Sequence, residues 1–503
     1  MKVIIVLLAF GLFILLAEVF RLKKAVKPLA IIGLLAAIAT AVLYWWFDDG
    51  ILAPYFGGMV EAIDVNGKLV STHKIPSYVA LTAENSTVQY FSMLEFGESA
   101  IIFSVIILVT ALLWFIMAGE FFAEPDSRTD HASLIYFSVI GAIMLTCYNN
   151  MTMLFLGIEI LSIPLYVLAG SKKDDLASNE ASLKYFLMGA FASAFLLFGI
   201  ALLYGATGTF DIRQMGGHIA ANGGTPVLYS GIILLLVGLL FKISAAPFHF
   251  WAPDVYQGAP TPVTAFMATI VKTAAIVAIM RLFLSPYALG PASEFWMPIM
   301  AVVVGLTLVI GNVTAVVQTQ VKRLLAFSSI SHAGFLLLAI TAFVGYGAKA
   351  IIFYTAAYSI ASIVAFTVLL NVIRQTGGDS IDNFNGLAKR NPLLAVAMTI
   401  ALLSLAGIPP TAGFFGKYYI LSAALDKGLH WLVILAIVTS LIGVYYYFRI
   451  IIAMFLKPAS GEAALTATNQ HQALLFVTAV ATLVLGLLPD LLLEIGTIAP
   501  PTP

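Results

Sequence analysis

Charge is scarce in this sequence: 10% of its 503 residues are Asp, Glu, Lys or Arg, against roughly a quarter in an ordinary soluble domain. With 61% apolar residues, the chain reads as a membrane protein. Net charge is missing too, since 25 basic residues balance 25 acidic ones. There is no basic surplus to attract nucleic acid, and the Lys and Arg clusters bear on topology instead. Cysteine is nearly absent. Cys147 stands alone in an apolar stretch, which excludes an internal disulfide and an iron-sulfur cluster on Cys ligands and leaves a small core residue. The seven histidines form no H-x-x-x-H pair and no C-x-x-C-H haem attachment. No GxGxxG or P-loop opens a helix after a strand. The chain therefore shows no legible redox centre, metal site or nucleotide site.

Long apolar runs are what it does have. Crossing ~30 Å of hydrocarbon takes about 20 residues, and runs of that size fall near 3–20, 29–47, 99–118, 132–148, 151–170, 182–204, 227–249, 261–284, 296–317, 324–344, 349–373, 391–423, 430–456 and 470–494. The first follows Lys2, lacks an A-x-A cleavage site and ends in "RLKK", so it reads as a transmembrane helix rather than a signal peptide. The run 391–423 is too long for one straight helix and contains "GIPPTAGFFGK", so it reads as a broken span. The expected fold class is an all-α polytopic membrane protein of about 14 transmembrane helices. Four parts follow: 1–125, with three helices and the loop 48–98; a five-helix repeat at 131–285; a second at 296–457; and a last helix at 470–494.

Basic residues collect on the cytoplasmic side of short loops. One side takes Arg21, Lys23, Lys24, Lys27, Arg128, Lys172, Lys173, Lys184, Lys322, Arg323, Arg374, Lys389, Arg390, Arg449 and Lys457. The other takes only Lys2, Lys68, Lys74, Arg213, Arg281, Lys349 and Lys427. The asymmetry orients both termini outside. The acid-rich segment 48–98, with an "NST" sequon at 85–87, then lies outside as a surface hairpin or loop.

Three lysines remain inside spans: Lys242, Lys272 in "AFMATIVKTAAIVAIM", and Lys417. A charge at such depth costs at least ~2.5 to 3.5 kcal/mol. Lys242 lies five residues before Pro247, and Lys417 follows Pro409 and Pro410 by eight and seven. Proline interrupts a helix, and broken backbone at that depth must face protein or a wet cavity. Both lysines fall in the fourth helix of their five-helix unit, on helices expected to run in opposite directions. That is the pattern of an inverted repeat. The second helices correspond as well, with Glu159 of "LFLGIEILSIPLY" answered by His332 of "SSISHAGF".

Bland readings stand beside these. Glu159 and a lysine can form a static ion pair, and Lys417 can serve packing or snorkel. His249 and His332 can be satisfied core groups. Lys184 can be a cytoplasmic anchor, Asp254 a loop or helix-capping residue, and Glu18 a headgroup contact. The chemical reading is a proton relay. A buried lysine loses several pKa units from ~10.4 and becomes able to exchange its proton. A carboxylate ~7 Å away, at an effective dielectric of ~20, shifts it back by ~2.4 kcal/mol, so moving that carboxylate switches occupancy.

The run "KISAAPFHFWAPDVYQGAPTPVTAFMATIVK", with "GIPPTAGFFGKYY" and "SSISHAGF", closely resembles the antiporter-like membrane subunits of respiratory complex I, the NADH-quinone oxidoreductase. The resemblance covers nearly the whole chain. It implies fourteen helices with two inverted five-helix bundles and one proton-translocating module in the bacterial inner membrane. Glu159 resembles the acid of the family's Glu-Lys pair, with Lys242 its expected partner. Lys272 resembles the central-axis lysine and Lys417 the terminal charged residue, while Lys184 and His249 match secondary positions. The implied partners are the other complex I membrane subunits, and NADH, FMN, iron-sulfur clusters and quinone belong to partner subunits. The rival expectations are a cation/proton antiporter subunit using the same lysines and a structural membrane spacer.

Overall fold

The computed structural model describes residues 2–20, 22–48, 59–63, 69–74, 88–90, 93–121, 130–284, 291–343, 347–459 and 464–494. The sequon at 85–87, Arg21, Lys68 and Arg128 lie outside the described residues, as does the side chain of Glu18. Helices α1 (Lys2–Val19) and α2 (Lys23–Asp48) lead to two short antiparallel hairpins, β1 (Met59–Ile63) with β2 (Leu69–Lys74) and β3 (Val88–Tyr90) with β4 (Leu94–Phe96). The hairpins fall in the segment expected to form a surface hairpin or loop. Then follow α3 (Glu98–Met117), α4 (Asp130–Cys147), α5 (Met151–Ala169), α6 (Leu176–Thr207), α7 (Ile212–Asn222), α8 (Pro226–Lys242) and α9 (Trp251–Gly258). The longer helices that follow are α10 (Thr261–Phe283), α11 (Pro291–Val316), α12 (Val321–Thr341), α13 (Gly347–Thr376), α14 (Pro392–Ala406), α15 (Ala412–Asp426), α16 (His430–Leu456) and α17 (Asn469–Leu487).

Among the described residues, 10 helices are long and apolar enough to cross a membrane, and four shorter apolar helices accompany them. The chain is a multi-pass, all-α membrane protein. Polar caps start its helices: Asn150 accepts from the Thr152 amide at 2.9 Å, Asp175 from Ala177 at 3.0 Å, and Thr225 from Leu228 at 3.2 Å. Each cap satisfies an amide that the helix itself cannot. Helices α6 and α8 approach closely because both carry glycine at their crossing. A Cβ on Gly199 would meet the Leu235 nitrogen at 2.7 Å, the close backbone approach that small residues permit in a membrane.

Burial divides the helices into two sets. The most apolar 18-residue stretches of α10 and α12 are wholly enclosed by protein. Around them, α6 exposes Leu183, Phe191 and Phe198, α16 exposes Ile434 and Leu441, and α17 exposes Phe476 and Val477. An apolar exterior around a polar-spotted interior matches a lipid solvent.

Three features depart from a count of simple spans. The run 227–249 stops as a helix at Lys242, and α9 resumes only at Trp251. The run 391–423 divides between α14 and α15, as its prolines predict. Helix α10 contains a π turn at Met267–Val271, directly before Lys272; such turns occur often at functional sites. The amphipathic α7 also fills a gap read as loop, burying Ile212, Met215 and Ile219.

Short bridges tie the loops together, Leu94 to Tyr148, Asn150 to Asp211 and Gln320 to Ser380.

Candidate functional site

Two of the buried lysines sit at or near the helix breaks. Lys242 is the last residue of α8 and 4% exposed. Its Nζ donates to Ser162 Oγ at 2.6 Å and Tyr166 Oη at 3.1 Å, both on α5. Lys417 is the sixth residue of α15, and its Nζ donates to the Ala406 carbonyl and to Ser440 Oγ, each at 2.9 Å. Ala406 ends α14, so the ammonium meets an unsatisfied carbonyl at the negative end of a half-helix. Breaking the helix is what supplies that acceptor. The same Nζ sits 4.8 Å over the Phe335 ring of α12.

Lys272, 1% exposed, donates to both the hydroxyl and the carbonyl of Ser329 on α12. Tyr358 of α13 donates to the same hydroxyl at 2.9 Å. One turn along α12, His332 shares hydrogen bonds with Tyr354 Oη at 2.5 Å and Tyr447 Oη at 3.2 Å, and Tyr447 meets Ser328. The "SSISH" run thus sets hydroxyls and an imidazole between Lys272 and Lys417 on an enclosed helix. Among the described residues, no side-chain hydrogen bond joins the Lys242 group to the Lys272 group. Around the break between α8 and α9, the buried Tyr185 Oη, Ser244 Oγ and His249 Nδ1 have no hydrogen-bond partner among the described residues. Buried polar atoms of this kind are ordinarily satisfied by internal water.

The expected Glu159–Lys242 ion pair is not formed. Glu159 is half-buried and accepts from Ser193 Oγ of α6 at 2.5 Å. Glu159, Ser162 and Tyr166 are three and four residues apart and share a face of α5. The amine docks on the two hydroxyls of that face, and the carboxylate turns toward α6. His249 is buried beside Phe250, with ring centroids 4.3 Å apart, and is not hydrogen-bonded to the lysines.

Lys184 lies at the rim, 41% exposed, paired with Glu180 at 2.7 Å and Asp254 at 2.9 Å. Asp254 also holds Arg323 at 2.9 Å. It is neither the loop residue nor the helix cap expected of it, since it lies in the first turn of α9, which is capped at Phe250 without a side-chain bond. The carboxylate instead ties α6 to α12. Burial pushes the Asp254 carboxyl up, but the hydrogen bonds of Lys184 and Arg323 outweigh this and hold it below the usual carboxylate range. A depressed carboxyl contributes stability above its unfolded pKa of ~3.9 and loses it as pH falls through the folded value. Asp254→Asn should lower the melting temperature of the purified protein by a constant amount between pH 8 and 5. The difference should close in more acidic buffer.

Two buried charges escaped the sequence reading. Glu95 on β4 is 7% exposed and binds Arg213, with Arg281 at 3.9 Å. Lys322, counted among the cytoplasmic loop residues, is 6% exposed at the start of α12. Among the described residues, no group of three or more His, Cys, Asp or Glu is placed to hold a metal ion.

The fold and this line of buried charge define a polytopic membrane protein that keeps ionisable groups away from lipid. The family described as NADH:quinone oxidoreductase/Mrp antiporter, TM matches residues 148–443, and the chain belongs to it. NADH-quinone oxidoreductase subunit N of Cytophaga hutchinsonii is 42% identical over 433 residues, covering 85% of this chain and 93% of the relative. A chain of respiratory complex I from Thermus thermophilus with bound aureothin superposes with a TM-score of 0.77 at 34% identity, covering 98% of both chains. A chain of the Mrp complex from Dietzia sp. gives a TM-score of 0.79 at 25% identity over 98% of this chain and 94% of that one. The resemblance drawn from the motifs therefore holds at the level of the family.

Proposed function

We propose that the chain is a proton-translocating membrane subunit of NADH-quinone oxidoreductase in the bacterial inner membrane. The observation that carries the reading is the enclosed row of Lys272, His332 and Lys417 with its hydroxyl bridges, in a chain similar to subunit N over most of its length. NADH, FMN, iron-sulfur clusters and quinone are held by partner subunits. Moving one charge against the membrane field takes about 2.3 kcal/mol per 100 mV, and partner redox chemistry supplies it. A change at Glu159 alters proton occupancy on Lys242. The proton passes through internal water to Lys272, then by Ser329 and His332 to Lys417, where repulsion expels it. Lys184 and His249 assist near the uptake side.

The same reading takes the chain as about fourteen spans with both termini outside. The parts are 1–125, inverted repeats at 131–285 and 296–457, and a final helix at 470–494. The matched breaks near Lys242 and Lys417 support the repeat. Lys242→Ala should assemble with its partner subunits yet lose most NADH-driven proton pumping in membrane vesicles. Normal pumping per NADH oxidised would leave a structural spacer. The Mrp likeness supports a second reading, a cation/proton antiporter subunit. Sodium-dependent proton movement without NADH would favour it.

A further inference from the structure

Lys322 sits at the charged rim yet is buried, and it makes no ion pair among the described residues. Its Nζ donates to the Gln257 carbonyl at 3.2 Å and to the Ala259 carbonyl, both at the far end of α9. Two carbonyls suit either charge state, because a neutral amine still has two N–H groups to give. Gln257 in turn donates its side-chain amide to Asp379 at 3.0 Å, and its own Oε1 is buried without a hydrogen-bond partner among the described residues. Asp379 is half-buried beside the Ser380 bridge. Asp175 and Lys172 are the other charged groups felt at Lys322.

Lys322 and Ser329 are seven residues apart on α12, two turns or about 10.5 Å on the same helix face. Ser329 is the residue that holds Lys272. Tyr256, fully buried and adjacent to Gln257, faces Ser329 as well. From the rim inward, the order is Asp379, Gln257, Lys322, Tyr256 with Ser329, then Lys272.

We infer that Lys322 is the proton-uptake residue of the central axis, loaded from the Asp379 rim and unloading to Lys272. This rests on the proton-relay reading above and adds to the transfer from Lys242 a second, direct route from bulk water to Lys272. Asp379 collects a proton from bulk water, Lys322 Nζ accepts it beside the open Gln257 oxygen, and the hydroxyls of Tyr256 and Ser329 pass it to the Lys272 amine. Each step moves one proton and leaves its donor ready for the next.

The test is NADH-driven pumping by the assembled complex carrying Lys322→Arg, alongside Lys272→Ala. Arginine keeps the charge and the donors for both carbonyls but does not release its proton. The expected result is at least a tenfold loss of pumping, with partial recovery in Lys322→His and an optimum moved to lower pH. Full pumping with Lys322→Arg while Lys272→Ala is inactive would make Lys322 an anchor of α9 and overturn the proposal alone. Normal pumping in both would remove the relay reading itself. If Lys322→Arg does not assemble, Asp379→Asn at the rim decides: a slower rate that falls off more steeply at alkaline pH supports uptake here, and an unchanged pH profile refutes it.

Discussion

Lys272→Ala is expected to lower proton pumping by the assembled, NADH-oxidising complex by about 10²-fold, the scale on which a positioned proton-transfer group contributes. Among the described residues the amine bonds only to Ser329, whose hydroxyl is also the target of Tyr358. Removing it leaves two hydroxyls that still reach each other but no group between them that can store a proton. Because alanine also opens a cavity, Lys272→Met is the companion variant. It keeps nearly the same volume and carries no proton, and methionine adapts to irregular gaps. Equal loss in both assigns the effect to protonation. Pumping retained in Lys272→Met would mean that the amine serves packing, and the path would have to avoid α10.

Gly413→Val is expected to deplete the protein from membranes several-fold, whatever its effect on transport. Gly413 opens α15, and its amide donates to Ser404 Oγ on α14 at 3.1 Å. A Cβ at this position would collide with the Ser404 carbonyl, a backbone group that cannot rotate away. Forcing extra carbon into a packed site typically costs about 1–3 kcal/mol, and losses of that size change cellular abundance several-fold. The half-helices would have to part, taking the Ala406 carbonyl from Lys417. Gly205→Ala is the control, since among the described residues no neighbour beyond its own helix backbone lies within 4 Å of the added carbon. Matching membrane content and heat stability for the two variants would show that α14 and α15 separate freely.

The lysines were legible because charge is so sparse: Lys242, Lys272 and Lys417 stand out inside apolar runs, and the neighbouring prolines mark the breaks. Their hydrogen-bond partners were not. Whether Lys242 meets Glu159 or the hydroxyls of Ser162 and Tyr166 depends on how α5 is turned, and one face of that helix offers all three. The burial of Lys322 was not legible because a lysine just before an apolar run counts as a loop residue; only the fold brings the carbonyls of Gln257 and Ala259 over it. Glu95 lay in a segment without helical period, far in sequence from Arg213 and Arg281. Helix α7 had a signal that spans of twenty residues overlook, the spacing of Ile212, Met215 and Ile219.

The enclosure of α10 and α12 has a consequence for how the protein meets different membranes. A helix that touches lipid must tilt, stretch or thin its surroundings when hydrocarbon thickness changes, at a fraction of a kcal/mol per Å of mismatch. That adjustment falls on the outer helices with exposed Leu, Ile and Phe side chains, such as α6, α16 and α17. The two helices that carry Lys272 and His332 have no lipid boundary to adjust. Acyl-chain length therefore bears on how the protein seats among its neighbours, while the spacing of its ionisable groups stays set by protein packing alone.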